Sequence, residues 1–339
     1  MKIRENVPIS TLTTMRLGGN ADFVIDIESE DEAGEVFEFV KEKGLPFYFL
    51  GLGANTLGRD EGFTGAILRN RIKGINILEE AENTLIVEAA GGEIWDDFVK
   101  FITNKGFSGV EAMSLVPGTV AAAPVQNIGA YGQEAKDTLE SVYVYDSLLD
   151  EYKEIAAKDC DFAYRHSIFN SGETKGRYFI LSATFKFTEK QLKQPFYNSL
   201  QAYLDEHNIK DYSPKSIRSA VSEIRKQKLP DPETEASAGS FFKNIILDQP
   251  LKNQAIPFRE TKDGKYKVNT GWLLENAGLK GKTFHGFKVS DKAALILINE
   301  SAKSSKDLEQ AVAEIKQAVK DKYDLDLEPE PVVIAEREL

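Results

Sequence analysis

The stretch SLVPGTVAAAPVQNIGAYGQE, residues 114–134, is built from side chains too small to shield their own backbone. Pro117 and Gly118 make a turn, and the TVAAAP run behind them lets another body approach the main chain. Gln126 and Asn127 add amide groups, and Gly129 and Gly132 add two points of backbone freedom. Exposed N–H groups flanked by small residues are what a pyrophosphate or a flat ring system requires. Tight packing between loops gives the same composition and accounts for most glycine clusters. Two more runs of this kind, 51–58 and 89–93, lie in the same half of the chain, each after a strand-like segment. Three together point to a large dinucleotide.

Outward from that stretch, strand-like and helix-like segments alternate. ADFVIDIE (21–28) has strand character, and residues 29–43 set Ala33, Val36, Phe37 and Val40 on one side of a helix. PFYFLGLG reads as a buried strand ending in the first glycine loop. GAILRN follows, and INILEE and NTLIVEAAGGE make a strand pair around an acidic turn. Residues 94–105 predict a helix that buries Trp95, Phe98, Val99 and Ile102. Strand signals return in SVYVYDS and RYFILSATFKF.

Past Phe187 the character changes. QPFYNSLQAYLDEH predicts a short helix and a connector. Ser213 caps the next helix with Pro214 at its first position, Ile217, Val221 and Ile224 follow one face, and LPDP ends it. A last helix over 303–323 turns Leu308, Val312, Ile315 and Val319 inward, and PVVIA closes the chain as a short strand. Boundaries are expected near 190–213 and, more weakly, near 70, in an α+β chain with segregated pieces.

The 339 residues, 42% of them hydrophobic, suffice for two or three cores. A net charge of -12 argues against a general nucleic-acid or membrane-surface binder, while locally clustered cations still admit an anionic small substrate. Cys160 is the only cysteine, so an internal disulfide or a thiolate metal site is excluded. The opening MKIRENVPISTLTT has no apolar signal core and no apolar run approaches a membrane span, so a cytoplasmic protein without membrane insertion is expected.

Several familiar motifs are approached and missed. FLGLGANTLG leads a strand into Gly51 and Gly53, but the third glycine of a dinucleotide fingerprint falls on Thr56. NAGLKGKT imitates a phosphate loop with Asn276 in place of its first glycine. His166, His207 and His285 lack ligand spacing, so no metal site is expected. AGSFF lacks the second glycine of a nucleophile elbow, which argues against Ser240 as a hydrolase serine.

LGLGANTLG, PGTVAAAPVQNIGAYG, YRHSIF, KLPDP, AGSFFKN, GWLLENAGLKG and LEPE occur in this order across nearly the whole chain. Each is weak alone. The ordered set resembles the UDP-N-acetylenolpyruvoylglucosamine reductase family, in the subgroup with a tyrosine loop, here QPFYNSL. The resemblance implies an α+β fold: a two-lobed FAD-binding domain of the vanillyl-alcohol-oxidase (PCMH) type, then a C-terminal α+β substrate-binding domain. The divisions expected are 1–70 and 71–212 for the lobes and 213–339 for the substrate domain. It implies non-covalent FAD, NADPH as reductant, a nucleotide-sugar substrate of peptidoglycan synthesis and a monomer.

By the same resemblance, Ser240 donates the proton, and Arg165 and Glu330 complete the catalytic set. The guanidinium would fork onto the substrate carboxylate. Glu330 would need a proton or a partner to sit beside an anion. FAD contacts fall on Gly51, Gly53, Ala54, Asn55 and Thr56, and on Pro117, Gly118, Thr119, Ala122, Gln126, Asn127, Gly129, Ala130 and Tyr131. Substrate contacts fall on Tyr164, Tyr197, Arg225, Lys228 and Asn244. Val332 and the Lys292–Ala293 pair depart from the family pattern, which often has a basic residue at the first and a longer polar side chain at the second. Read without the resemblance, Ser240 would cap a short helix at Phe241, Arg165 would be a surface ion pair, and Glu330 a solvated end. Competing functions are another flavin oxidoreductase of this fold, or a non-catalytic nucleotide-sugar binder.

Overall fold

The chain opens with β1 (Lys2–Pro8) and β2 (Asn20–Ile27), which pair antiparallel. In this computed structural model the described residues are 1–189, 192–231, 234–251, 253, 255–261 and 264–335. Lys190, where the expected boundary begins, and Pro232 of the helix stop lie outside them. Ser29 caps α1 (Glu30–Glu42) by accepting from the Glu32 N–H, and three acids in the first turn suit the helix dipole. Its expected face, Ala33, Val36, Phe37 and Val40, is buried. Then come β3 (Phe47–Phe49), β4 (Thr56–Leu57) and β5 (Phe63–Asn70), and a four-stranded sheet forms in the order β1-β2-β5-β3. β3 is shorter than PFYFLGLG suggested and only half-buried: Tyr48 and Phe49 pack against core residues but also line a cavity.

β6 (Ile75–Ala81) and β7 (Thr84–Ala90) form the expected hairpin, and α2 (Trp95–Asn104) buries its four expected residues. After a short hairpin, β8 (Gly129–Ala130) with β9 (Gln133–Glu134), three long strands follow: β10 (Leu139–Asp146), β11 (Glu151–Ala156) and β12 (Tyr178–Thr188). They form an antiparallel sheet in the order β11-β10-β12-β7-β6. Trp95, Phe98, Phe185 and Phe187 centre the core between α2 and that sheet. Truncating Trp95 there costs roughly 3–5 kcal/mol. Phe37 of α1 stacks on Tyr145 of β10 with centroids 4.6 Å apart, which joins the two sheets.

α3 (Asn198–Glu206) and α4 (Pro214–Lys228) pack on each other through Leu200, Leu204, Ile217, Val221 and Ile224. Ser213 caps α4 as expected, accepting from the Ser216 N–H. Arg218 grips both oxygens of Asp96 at 3.0 and 2.8 Å, which fixes α4 against α2.

The remaining chain forms β13 (Ala236–Ser240), β14 (Ile245–Leu247), β15 (Phe258–Glu260), β16 (Tyr266–Val268), α5 (Thr270–Asn276), β17 (Thr283–Phe284), β18 (Phe287–Val289), β19 (Ile296–Asn299), α6 (Ser305–Tyr323) and β20 (Val332–Val333). Two sheets result, β13-β19-β18-β17 and β14-β16-β15. Leu308, Ile315 and Val319 of α6 are buried as expected, but Ala311 rather than Val312 takes the fourth inward place. Spacings of three and four residues keep Ala311 on the stripe and leave Val312 at its edge. β20 returns to pair in parallel with β4, so the chain end closes on the first glycine loop.

Candidate active site

Two glycine-rich loops face each other across a cavity of ≈ 340 Å³. Gly51, Gly53, Ala54, Asn55 and Thr56 line one side, and Pro117, Gly118, Thr119, Ala122, Gln126, Gly129 and Ala130 the other. Gly53 has φ 68° and a Cβ there would lie 2.1 Å from the Leu12 carbonyl oxygen, so only glycine fits. Gly118, at φ 151°, is required by its backbone angle, since its nearest neighbour would be 4.0 Å away. Among the described residues, the N–H groups of 51–54 and of Gly118 and Thr119 find no acceptor within the chain. Open donors between small side chains suit a dinucleotide diphosphate, so the residues present fit FAD. Tyr48 adds a phenol to this wall, its hydroxyl pushed up to about 12 by burial.

Two of the expected cofactor residues lie elsewhere. Asn127 is buried behind its loop, donating to Glu134 at 2.8 Å and to the Ala163 carbonyl at 3.2 Å, while its own carbonyl accepts from the Lys136 N–H. Tyr131 lines an adjoining cavity of ≈ 430 Å³ and meets the Tyr197 ring edge-on at 5.8 Å. Burial raises its hydroxyl above the ordinary phenol range.

Ser240 ends β13 and faces the first cavity; no helix follows it, so the capping role does not arise. The pairing of β13 with β19 slips between Ser237 and Ser240, where Gly239 adopts φ 71°. Beyond it the chain is pinned twice: the Glu330 N–H donates to the Phe241 carbonyl at 2.9 Å, and the Lys243 N–H to that of Glu328 at 2.9 Å. This ladder carries Glu330 into the same cavity wall. Asn55 ties the first glycine loop to it, with its amide 3.4 Å from the Glu330 carbonyl.

Arg165 enters from the loop before β12 with φ 56°, held by Asn170, whose amide donates to the Arg165 carbonyl at 3.1 Å. Its Nε donates to Glu330 Oε1 at 2.8 Å, and the two side chains are 19% and 10% exposed. Glu330 is therefore partnered, neither a solvated end nor an isolated carboxylate, and Arg165 is no surface ion pair.

The Tyr164 hydroxyl lies 3.4 Å from both the backbone and side-chain nitrogens of Asn244, and Asn244 Oδ1 accepts from the Thr270 N–H at 3.1 Å. Arg225 reaches the first cavity, donates to the Leu115 carbonyl at 3.2 Å, and has its Nε buried without a partner among the described residues. Burial lowers its pKa. Tyr197, exposed, lines the second cavity, whereas Lys228 is exposed on the last turn of α4 and lines neither. Lys292 and Ala293 sit in a turn closed on Ser290 Oγ, away from both cavities; Val332 lines the first. Sequence reading missed Tyr48, Asn70, Asn170 and Tyr178 in the first cavity. It also missed Arg259 and Lys267, although the basic run FRETKDGKYK was visible.

Fold and cavity define an FAD-binding flavoprotein, and residues 21–148 match the family model described as FAD binding domain. Residues 231–334 match a second, UDP-N-acetylenolpyruvoylglucosamine reductase, C-terminal domain. Relatives bearing that enzyme's name include one from Bdellovibrio bacteriovorus, 32% identical over 98% of this chain and 99% of its own. Another, from Neisseria gonorrhoeae, is 35% identical over 97% of this chain and 96% of its own. The crystal structure of UDP-N-acetylenolpyruvylglucosamine reductase from Thermus caldophilus shares the fold, with TM-score 0.69 and 21% identity over 98% of this chain and 100% of that one. The chain belongs to the UDP-N-acetylenolpyruvoylglucosamine reductase family of oxidoreductases, with FAD as its cofactor. Among the described residues no helix is long and apolar enough to cross a membrane, and no cluster of His, Cys, Asp and Glu could hold a metal ion.

Proposed function

We propose that this chain reduces the enolpyruvyl double bond of UDP-N-acetylenolpyruvoylglucosamine to give UDP-N-acetylmuramate, in the cytoplasm and at the expense of NADPH. The observation that carries this reading is convergence: Ser240, Arg165 and Glu330, distant in sequence, line one cavity with the two glycine-rich loops. The two loops would hold FAD, which, once reduced by NADPH, would supply the hydride for one carbon of the double bond. Ser240 holds the proton for the other carbon. A serine hydroxyl is a weak acid, but a carbanion beside a carboxylate is basic enough to take its proton. Arg165 keeps its terminal nitrogens free of hydrogen-bond partners among the described residues, so they can fork onto the substrate carboxylate and hold the charge that develops there. Glu330 anchors Nε and lets the guanidinium stay largely buried. Tyr164, Asn244 and Tyr197 would hold the sugar nucleotide, with Arg225 and Lys228 adding positive charge. Residues 1–70 and 71–212 serve as flavin lobes and 213–339 as the substrate domain in this reading.

The test is anaerobic reduction of the FAD-loaded protein by NADPH, followed by addition of the enolpyruvyl substrate. Prompt return of the oxidised flavin spectrum is expected. Flavin that binds and is reduced but stays reduced would refute the substrate and leave the fold. Ser240→Ala should accept electrons from NADPH yet reduce substrate about 10²–10⁴-fold more slowly.

A further inference from the structure

Arg165 sits on a turn closed by two backbone hydrogen bonds. The Ala163 N–H donates to the His166 carbonyl at 3.1 Å, and the His166 N–H to that of Ala163 at 3.2 Å. Arg165 itself takes φ 56°, a left-handed angle that a bulky residue holds only where its surroundings impose it. Two side chains grip this turn, one at each end, and both connect it to the same loop. At its start, Asn127 Nδ2 donates to the Ala163 carbonyl at 3.2 Å. Just past its end, Ser167 Oγ donates to the Val125 carbonyl at 2.5 Å and accepts from the Phe169 N–H at 3.1 Å. Val125 and Asn127 belong to the second glycine-rich loop, where Val125 lines the first cavity beside Gln126. Asn127 is 1% exposed and Ser167 0%, and neither side chain lines that cavity. Asn127 is fixed in turn, because Nδ2 also donates to Glu134 and Oδ1 accepts from the Lys136 N–H at 3.1 Å. Asn170 braces the turn from the far side: its Oδ1 accepts from the Ser167 N–H at 3.0 Å, while its amide holds the Arg165 carbonyl. Glu330 is tied to the first glycine-rich loop through Asn55, so each half of the Arg165–Glu330 pair hangs from one of the two loops.

We propose that Asn127 and Ser167 are positioning residues for Arg165, fixing its guanidinium relative to the flavin site. This rests on the reduction proposed above and deepens it: both side chains act through Arg165 and touch neither substrate nor cofactor. The carbon that takes the hydride and the carboxylate that takes up the charge belong to one planar, conjugated group. A guanidinium that holds the carboxylate must therefore keep its place relative to the flavin loops, because a small misplacement of a reacting group slows the step. A turn stapled to one of those loops meets that demand. Glu330 fixes Nε, near the far end of the side chain; the two staples fix the backbone from which it springs.

The experiment compares the FAD-loaded wild type with Ser167→Ala, Asn127→Ala, Arg165→Met and the double variant Arg165→Met with Ser167→Ala. Anaerobic stopped-flow times flavin reduction by NADPH and reoxidation by the enolpyruvyl substrate separately. Ser167→Ala and Asn127→Ala should each slow reoxidation about tenfold or more and leave reduction within about twofold of the wild type. On the Arg165→Met background, Ser167→Ala should add no more than about twofold, because the group it positions is gone. Hydrogen exchange of the Ala163 and His166 amides should quicken in both single variants, reporting the loosened turn. Reoxidation at the wild-type rate in Ser167→Ala would overturn the positioning role and leave the proposed reduction standing. Equal slowing with and without Arg165 would make the role of Ser167 purely structural and overturn the proposal. Slowed reduction by NADPH would place the effect on the flavin loop itself, and unaltered amide exchange would show that the turn stands without its staples; either refutes it. A wild type whose reduced flavin is not reoxidised by the substrate would overturn the reduction, and the positioning role with it.

Discussion

Around Asp146 the carboxylate is fully enclosed: Arg177 grips its two oxygens at 2.7 and 2.6 Å and Lys153 one of them at 2.5 Å. Around Arg259 and Lys267, two cations face each other across a strand pair with no carboxylate between them among the described residues. Burial alone would raise the Asp146 pKa, but hydrogen bonds from Arg177 and Lys153 prevail and hold it well below the usual carboxylate range. The Leu148 N–H also donates to it, so the cluster ties the β10–β11 turn to Arg177 at the start of β12. A closed cluster of this kind carries its own counter-charge and serves the fold. An open one leaves its cations without a counter-charge among the described residues. The Arg165–Glu330 pair stands between them, with one nitrogen bonded from within and the others without a hydrogen-bond partner among the described residues.

The closed cluster should be the most costly to break. Asp146→Ala leaves two cations clustered without their anion and should lower stability by about 3–5 kcal/mol, read by denaturant unfolding. Turnover per folded molecule should be unchanged below the transition. The pH signature follows from the same pairing. Because the folded-state pKa is depressed, the contribution of Asp146 is present above the ordinary carboxylate pKa and is lost as pH falls toward the folded value. A wild type and an Asp146→Asn variant that lose stability in parallel on acidification would erase the distinction drawn here.

Arg165→Met should come next, lowering turnover roughly 10²–10³-fold, about 3–4 kcal/mol of transition-state stabilisation. Flavin content and reduction by NADPH should survive. Stability should fall as well, because Glu330 is then buried with its guanidinium partner gone. That double cost is what an intermediate cluster implies, and a variant losing only one of the two would move the pair toward one extreme.

These three clusters differ in how far the sequence exposes them. Arg165, Ser240 and Glu330 were found because each lies within a motif of the family pattern, and the flavin loops because glycines and alanines are contiguous there. The helices were legible where caps and periodicity agreed, as at Ser213–Pro214 with Ile217, Val221 and Ile224 on one face. Asn127 and Lys228 fit the same motifs, yet neither side chain lines the cavity. A motif fixes residue identity, not the direction of a side chain on a turn. The Arg259–Lys267 pair was illegible for another reason. It depends on the register of two three-residue strands, and segments so short carry no periodic signal that could set it.

The smallest effect tests that register by stability alone. Lys267 has its pKa depressed to about 8, so its charged form is disfavoured in the folded chain relative to the unfolded one. Between pH 8 and the ordinary lysine pKa of about 10.4, the unfolded chain therefore binds the extra proton, and folded stability rises with pH across that window. At pH 7 the wild type bears the full penalty of a charged, half-buried lysine opposite Arg259. Lys267→Met removes it, and solvent screening of a partly exposed side chain trims the gain to about 1 kcal/mol. The advantage of the variant should shrink as pH climbs through 8 to 10, followed by urea midpoints at closely spaced pH values. If the variant is less stable than the wild type at pH 7 without ligand, Lys267 is held by the fold itself, and the contrast with Asp146 disappears.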